Sequence, residues 1–136
     1  MPDPRVDRGI LDTSVVIDLE KLEAHSLPGE AAITTLTLAE LAAGPHAAVN
    51  PGERARRQDR LQRAEATFAP LPFDAEAARA YGRVYAAVVA AGRRARGARA
   101  VDLMIAAIAC SADLPLYTRN PKDFTALEGL VEIIAV

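Results

Sequence analysis

The sequence has no tryptophan, one cysteine, two histidines and only 4% aromatic residues. Stacking platforms of the RRM or OB kind need several exposed rings, so the aromatic poverty argues against them. A lone Cys110 cannot close an intramolecular disulfide, and no cysteine–histidine cluster has zinc spacing,. A reducing cytoplasm is the expected setting. His25 and His46 stand apart from other reactive groups, and neither is placed to act as a general base. Also missing is any charge-free apolar stretch of about 20 residues, and Met1 to Gly9 is polar and proline-containing, so neither a membrane span nor a signal peptide is expected,.

What is present describes a folded globule: 136 residues, 51% hydrophobic and 25% charged,. That length suits one core, and a single domain over residues 1–136 is expected,. The net charge of −2 conceals segregation. Arginines concentrate between Arg54 and Arg99, while carboxylates dominate the first forty residues and the last two dozen. A basic stripe on an acidic protein permits local phosphate contact without general polyanion binding.

Along the chain, short apolar runs alternate with helical patterns. Gly9 to Leu11 reads as a strand, followed by capping-type residues Asp12, Thr13 and Ser14 and a helix to about Glu23 that turns Val15, Val16, Leu19 and Leu22 inward,. Ala31 to Thr35 is a second strand candidate, and Leu36 to Ala43 a helix stopped by Gly44-Pro45,. Pro51 opens a long helix to about Phe68, and Asp74 caps another to about Ala91 that ends at Gly92; these two are expected to pair as an antiparallel hairpin,. Val101 to Ala112 is apolar nearly all round, the mark of a buried helix, with Cys110 as one of its small core residues,. Leu116 to Thr118 reads as a strand, Pro121 to Leu127 as a turn and short helix, and Val131 to Val136 as a last, β-branched strand,. Strands alternating with helices imply an α/β fold with a mostly parallel sheet covered on both faces.

In such sheets the reactive site collects beyond the carboxyl ends of the strands. Asp12 ends the first strand, Glu40 lies about one turn into the helix after the second, Asp102 opens the buried helix, and Asn120 with Asp123 follows the strand at Leu116 to Thr118. Singly each has an ordinary explanation: a cap, a solvated helix residue, a turn. Together they differ, because Asp12 and Asp102 both sit against apolar runs where an unpaired charge is costly,. The hard-cation answer is Mg²⁺ or Mn²⁺, which take carboxylate oxygens and leave positions open for phosphate.

Four segments, in order and spacing, resemble the PIN domains and within them the VapC toxins: Ile10 to Val15, Thr37 to Leu41, Val101 to Ala107, and Tyr117 to Phe124. The likeness spans essentially the whole chain. It implies a three-layer αβα fold with a central sheet of four to five strands and helices on both faces. It also implies a Mg²⁺- or Mn²⁺-dependent endoribonuclease, a homodimer, and inhibition by a cognate VapB-like antitoxin. Carried over by position, Asp12, Glu40 and Asp102 are the acidic ligands, Thr13 or Ser14 hydrogen-bonds within the site, and Asn120 or Asp123 completes it. Thr118 and Arg119 fall in the matched segment, and Arg119 is placed to steady a phosphate. Arg93, Arg94, Arg96 and Arg99 immediately precede Asp102 and could track an RNA backbone,. Arg54, Arg56, Arg57, Arg60 and Arg63 share a helix with Glu53, Asp59 and Glu65 and read as a solvated, salt-bridged face,.

Two other readings keep the same fold. Asp12 as an aspartyl-phosphate nucleophile lacks its partners, since no second Asp follows two residues later and Lys122 is the only late lysine,. A non-catalytic binding or dimerisation module would use the carboxylates to dock a partner's arginine.

Overall fold

The computed structural model describes residues 8–93 and 98–136. β1 (Arg8–Leu11) runs through Asp12 into α1 (Thr13–Ile17), and β2 (Glu30–Ala32) leads to α2 (Thr35–Ala47). Three helices follow, α3 (Pro51–Thr67), α4 (Ala75–Ala90) and α5 (Ala98–Ala112). The described chain closes with β3 (Leu116–Thr118), a 3₁₀ segment over Pro121–Leu127, and β4 (Ile133–Ala135). The strands pair in parallel in the order β2-β1-β3-β4, with Ile10 opposite both Ala32 and Leu116.

Neighbouring residues of a strand face opposite sides of the sheet, so each strand feeds two cores. Ile10, Leu116 and Ile133 pack with Ala77, Ala80, Val84 and Val88 of α4 and with the buried residues of α5. Their neighbours Leu11, Tyr117 and Ile134 pack instead with Val15 and Val16 of α1, Leu41 of α2 and Ala64 of α3. This is the expected three-layer αβα arrangement with a parallel sheet of four strands. Residues 105–109 of α5 are all buried, as a helix apolar nearly all round must be,. Asn50 caps α3 by accepting from the Glu53 amide at 2.8 Å, and Asp74 caps α4 by accepting from the Ala77 amide at 2.9 Å. Each such cap contributes about 1 kcal/mol.

Away from the acidic site, the structure departs from the sequence reading in five places. α1 stops at Ile17, and the chain descends to β2 through 3₁₀ turns at Leu19–Lys21 and Ala24–Ser26. Breaking the helix lets Leu19, Leu22 and Leu27 all reach the α1–α3 core. β2 begins at Glu30, ahead of the expected start, because Thr34 is taken as the cap of α2, accepting from the Thr37 amide at 3.1 Å. Gly44-Pro45 does not stop α2, which continues to Ala47. A proline in the last turn removes a single helical donor, and Arg57 of α3 donates to the Gly44 carbonyl at 2.9 Å. β4 is shorter than expected, since the Val131 amide folds back to the Leu127 carbonyl at 3.1 Å.

Fifth, the expected α3–α4 hairpin does not form; α3 packs on α2, and α4 on α5. The cause is Leu71, between Pro70 and Pro72. Its amide donates to the Ile33 carbonyl and its carbonyl accepts from the Thr35 amide, both at 2.9 Å, a parallel bridge beside the sheet. The linker thereby carries the chain from the α1–α3 core to the α4–α5 core, and the two helices belong to opposite faces.

Gly9 in β1 lies under the Tyr117 ring, and a methyl group there would come within 2.8 Å of Tyr117 Cδ1. Gly9→Ala is therefore expected to destabilise the protein by about 1–3 kcal/mol through overpacking, read as a lower urea midpoint with unchanged slope.

Candidate active site

Asp12 follows β1 directly and is 4% exposed. Its Oδ1 accepts from the Val15 amide at 3.2 Å and from Ser14 Oγ at 2.5 Å, so the capping role is real. Both bonds fall on one oxygen, and Oδ2 takes no hydrogen bond among the described residues. Ser14 Oγ in turn accepts from the Arg119 amide at 3.1 Å, tying the start of α1 to the end of β3.

Thr13 turns the other way. Its Oγ1 donates to Glu40 Oε1 at 2.6 Å and lies 2.9 Å from Thr37 Oγ1. Since the Thr13 proton goes to Glu40, Thr37 must be the donor between the two hydroxyls. The buried Thr37 thus orients Thr13, and Thr13 orients the exposed Glu40 on α2. Sequence reasoning passed over Thr37. The available signal was the Thr34-x-x-Thr37 pair at the start of a helix, where the second hydroxyl has no capping duty.

Asp102 does not open its helix, because α5 begins at Ala98 and puts Asp102 in the second turn. Its carboxylate therefore has no capping role. Burial pushes its pKa up to about 6, and the carboxylates of Glu40, Asp12 and Asp123 push in the same direction, while Arg99 opposes them,. Three acids from three other segments thus act on Asp102 through space. Asp123, in the 3₁₀ segment, completes the set of four.

Asn120 is exposed, and its described hydrogen bond is through the backbone, its amide donating to the buried Thr118 Oγ1 at 3.0 Å. Of the two positions left open by the sequence, Asp123 is the one whose charge reaches Asp102. Arg119 is exposed and has its Nε 3.8 Å from Asp18 Oδ2, a pairing sequence reasoning did not anticipate. Arg99, expected to track a backbone, instead points its guanidinium to Asp123, with Nη2 donating to the Asp123 carbonyl at 2.5 Å. Arg94 and Arg96 lie outside the described residues. On α3, Arg56 and Arg57 pair with Glu53, and Arg63 with Asp59 and Glu20, a salt-bridged face as expected.

The acids do not line the better-formed concavity. A groove of about 270 Å³ runs between α1 and α3, over Val16, Leu19, Ala64 and Phe68, and contains none of the four. The acidic site is a rim at the carboxyl ends of β1 and β3, with Glu40 exposed, Asp102 and Asp123 half-buried and Asp12 buried. Among the described residues no three Asp, Glu, His or Cys side chains stand close enough to cage an ion as they are. The donor set nevertheless fits a hard cation: every candidate ligand is an oxygen, and the raised Asp102 carboxyl reports negative charge that Arg99 offsets only in part,. Asp12, Glu40, Asp102 and Asp123 are the groups that could hold it.

Comparison with known proteins gives the family. The family model described as PIN domain matches residues 10–130. A Mycobacterium tuberculosis protein named Ribonuclease VapC5 is 42% identical over 133 residues, covering 94% of this chain and 95% of its own length. Ribonuclease VapC1 of Rickettsia felis is 30% identical over 135 residues, with 93% and 95% covered. Among solved structures, that of VapBC-5 from Mycobacterium tuberculosis, a member of the VapBC family of toxin-antitoxin systems, superposes with a TM-score of 0.84 at 42% identity, over 96% of this chain and 99% of that one. The chain belongs to the PIN-domain family, within its VapC branch.

Proposed function

We propose that this protein is a divalent-metal-dependent endoribonuclease that acts as the toxin of a toxin–antitoxin pair. Its partner is a VapB-like antitoxin, and its setting is the cytoplasm as a homodimer. The observation that carries the chemistry is the acid set around Asp102, four carboxylates drawn from different elements and short of positive charge. The ribonuclease and toxin roles draw on the relatives, which carry the name ribonuclease and include a toxin–antitoxin structure at 42% identity.

In this reading Asp12, Glu40, Asp102 and Asp123 hold Mg²⁺ or Mn²⁺, which supplies a water activated for attack on phosphorus and neutralises charge on the phosphoryl oxygens. The protein's own groups do the positioning. Ser14 and the Val15 amide fix Asp12 through Oδ1, which keeps Oδ2 available. Thr37 and Thr13 hold Glu40 in place. With Glu40 exposed and Asp102 and Asp123 half-buried, the backbone of a polymer can run past the acids. Asn120 and the Arg119 side chain lie at the edge of the rim, where they can meet the phosphates flanking the cut.

The test is purified protein with RNA. Cleavage is expected with Mg²⁺ or Mn²⁺, lost in EDTA and restored by excess metal, and suppressed by a stoichiometric amount of the antitoxin. Metal-independent cleavage, or none with either ion, would overturn the reading.

A further inference from the structure

The two described arginines that flank residues 94–97 converge on one short turn. Arg93 Nη1 donates to the Lys122 carbonyl at 3.2 Å. Arg99 Nη2 donates to the Asp123 carbonyl at 2.5 Å, and its Nη1 stands 3.8 Å from Asp123 Oδ1. Both contacts reach across more than twenty residues of sequence to neighbouring carbonyls of the same 3₁₀ segment.

Arg99 is the more telling of the two. Its side chain is 24% exposed and commits both Nη1 and Nη2 to Asp123. Of the four acids, Asp12 and Glu40 are oriented by Ser14 and Thr13, and Asp102 is carried by the rigid α5. Asp123 alone sits on a short 3₁₀ segment, and the described polar contacts that tether this segment to the rest of the chain near Asp123 are those of Arg93 and Arg99.

We infer that Arg99, assisted by Arg93, is a positioning residue that clasps the Pro121–Leu127 turn and delivers Asp123 to the acidic site as its fourth ligand group. The inference rests on the metal-dependent reading above. It also gives these arginines a role distinct from contact with RNA phosphate.

The sign of one measurement separates positioning from mere charge. Removing a cation beside four acids should by electrostatics alone tighten binding of a divalent ion. Loss of positioning should weaken it, on the scale of roughly 10- to 100-fold seen when groups supporting metal ligands are removed. Calorimetric titration of Mn²⁺ into the full chain is therefore expected to show weaker binding in Arg99→Gln, and also in Arg99→Lys, which keeps the charge but loses the fork. In an Asp123→Asn background, Arg99→Gln should change Mn²⁺ affinity no further, as a double-mutant cycle requires of two groups acting through one contact. Hydrogen exchange of the 121–127 amides, read without metal, should speed up in Arg99→Gln and, to a smaller degree, in Arg93→Gln, which also serves if the Arg99 variant does not fold.

Tighter or equal Mn²⁺ binding in Arg99→Gln, or unaltered exchange in the turn, overturns the clasp. If the parent binds Mn²⁺ with these shifts yet cleaves no RNA, the clasp stands and the ribonuclease reading falls. If it cleaves RNA with metal while Arg99→Gln binds Mn²⁺ as well as the parent, the clasp alone falls. A parent that binds no Mn²⁺ overturns both.

Discussion

Asp102→Asn should lose RNA cleavage and gain stability in the same protein. The loss is expected to be at least ~100-fold in kcat/KM, the scale of removing one preorganised electrostatic contact from a reacting centre. The gain follows from the position of Asp102 in the second turn of α5, half-buried among Glu40, Asp12 and Asp123, where its ionised form is disfavoured. A neutral amide of the same shape escapes the cost of burying a charge there and the repulsion of the neighbouring carboxylates. Since Asp102 is only half-buried, screening reduces the relief to roughly 1–2 kcal/mol,. For a chain of this length each kcal/mol moves the melting temperature by roughly 3–4 °C. Thermal melts in EDTA should therefore place Asp102→Asn several degrees above the parent. A variant that loses both activity and stability would mean Asp102 serves the fold, and the active-site assignment would be lost.

The second large effect is on pH. The Asp102 carboxyl is raised from 3.8 to about 6 in the folded protein. The folded state thus binds this proton more tightly than the unfolded chain does. The contribution to stability is complete below the unfolded value and is lost as pH rises through about 6,. Metal-free protein should accordingly become more stable as pH falls from 7 toward 5, by up to about 1 kcal/mol from this group. Saturating Mn²⁺ should reverse the trend. An ion that binds the folded state stabilises by about 2.7 kcal/mol at a hundred times its Kd, and protons compete with it for the carboxylates. Denaturation midpoints at pH 5 and 7 should therefore move in opposite directions with and without Mn²⁺, drawing together at pH 5 and apart at pH 7. Parallel pH trends in the two conditions would show that the acids do not share a cation.

Much of this was readable without coordinates, for reasons that differ residue by residue. Asp12 announces itself because a strand of three apolar residues runs straight into Asp-Thr-Ser, and a cap there is a local necessity. The burial of α5 follows from composition alone. The α3–α4 pairing failed because adjacency in sequence says nothing about which face of a sheet a helix covers; one hydrogen-bonded residue, Leu71, decides that. Asp102 was taken for a helix opening because the apolar run begins at Val101 and an acid suits a helix N-terminus, whereas α5 starts at Ala98,. Glu40 has no local signature, being an exposed helical glutamate, and only the family likeness singled it out. Thr37 was hidden because a buried hydroxyl at a helix start looks like any other until its partner, Thr13, is brought to 2.9 Å by the fold.

The short bridge at Leu71 has a consequence for how copies of this protein behave toward one another. A parallel sheet exposes backbone donors and acceptors along its outermost strand, and beside β2 these would invite another chain to add itself. Leu71 occupies the rung beyond β2, and the flanking Pro70 and Pro72 have no amide hydrogen with which to lengthen the pairing,. The linker that carries the chain between layers is also a stopper. A second copy of the chain should therefore find no continuation of the sheet at the rung opposite Thr34,.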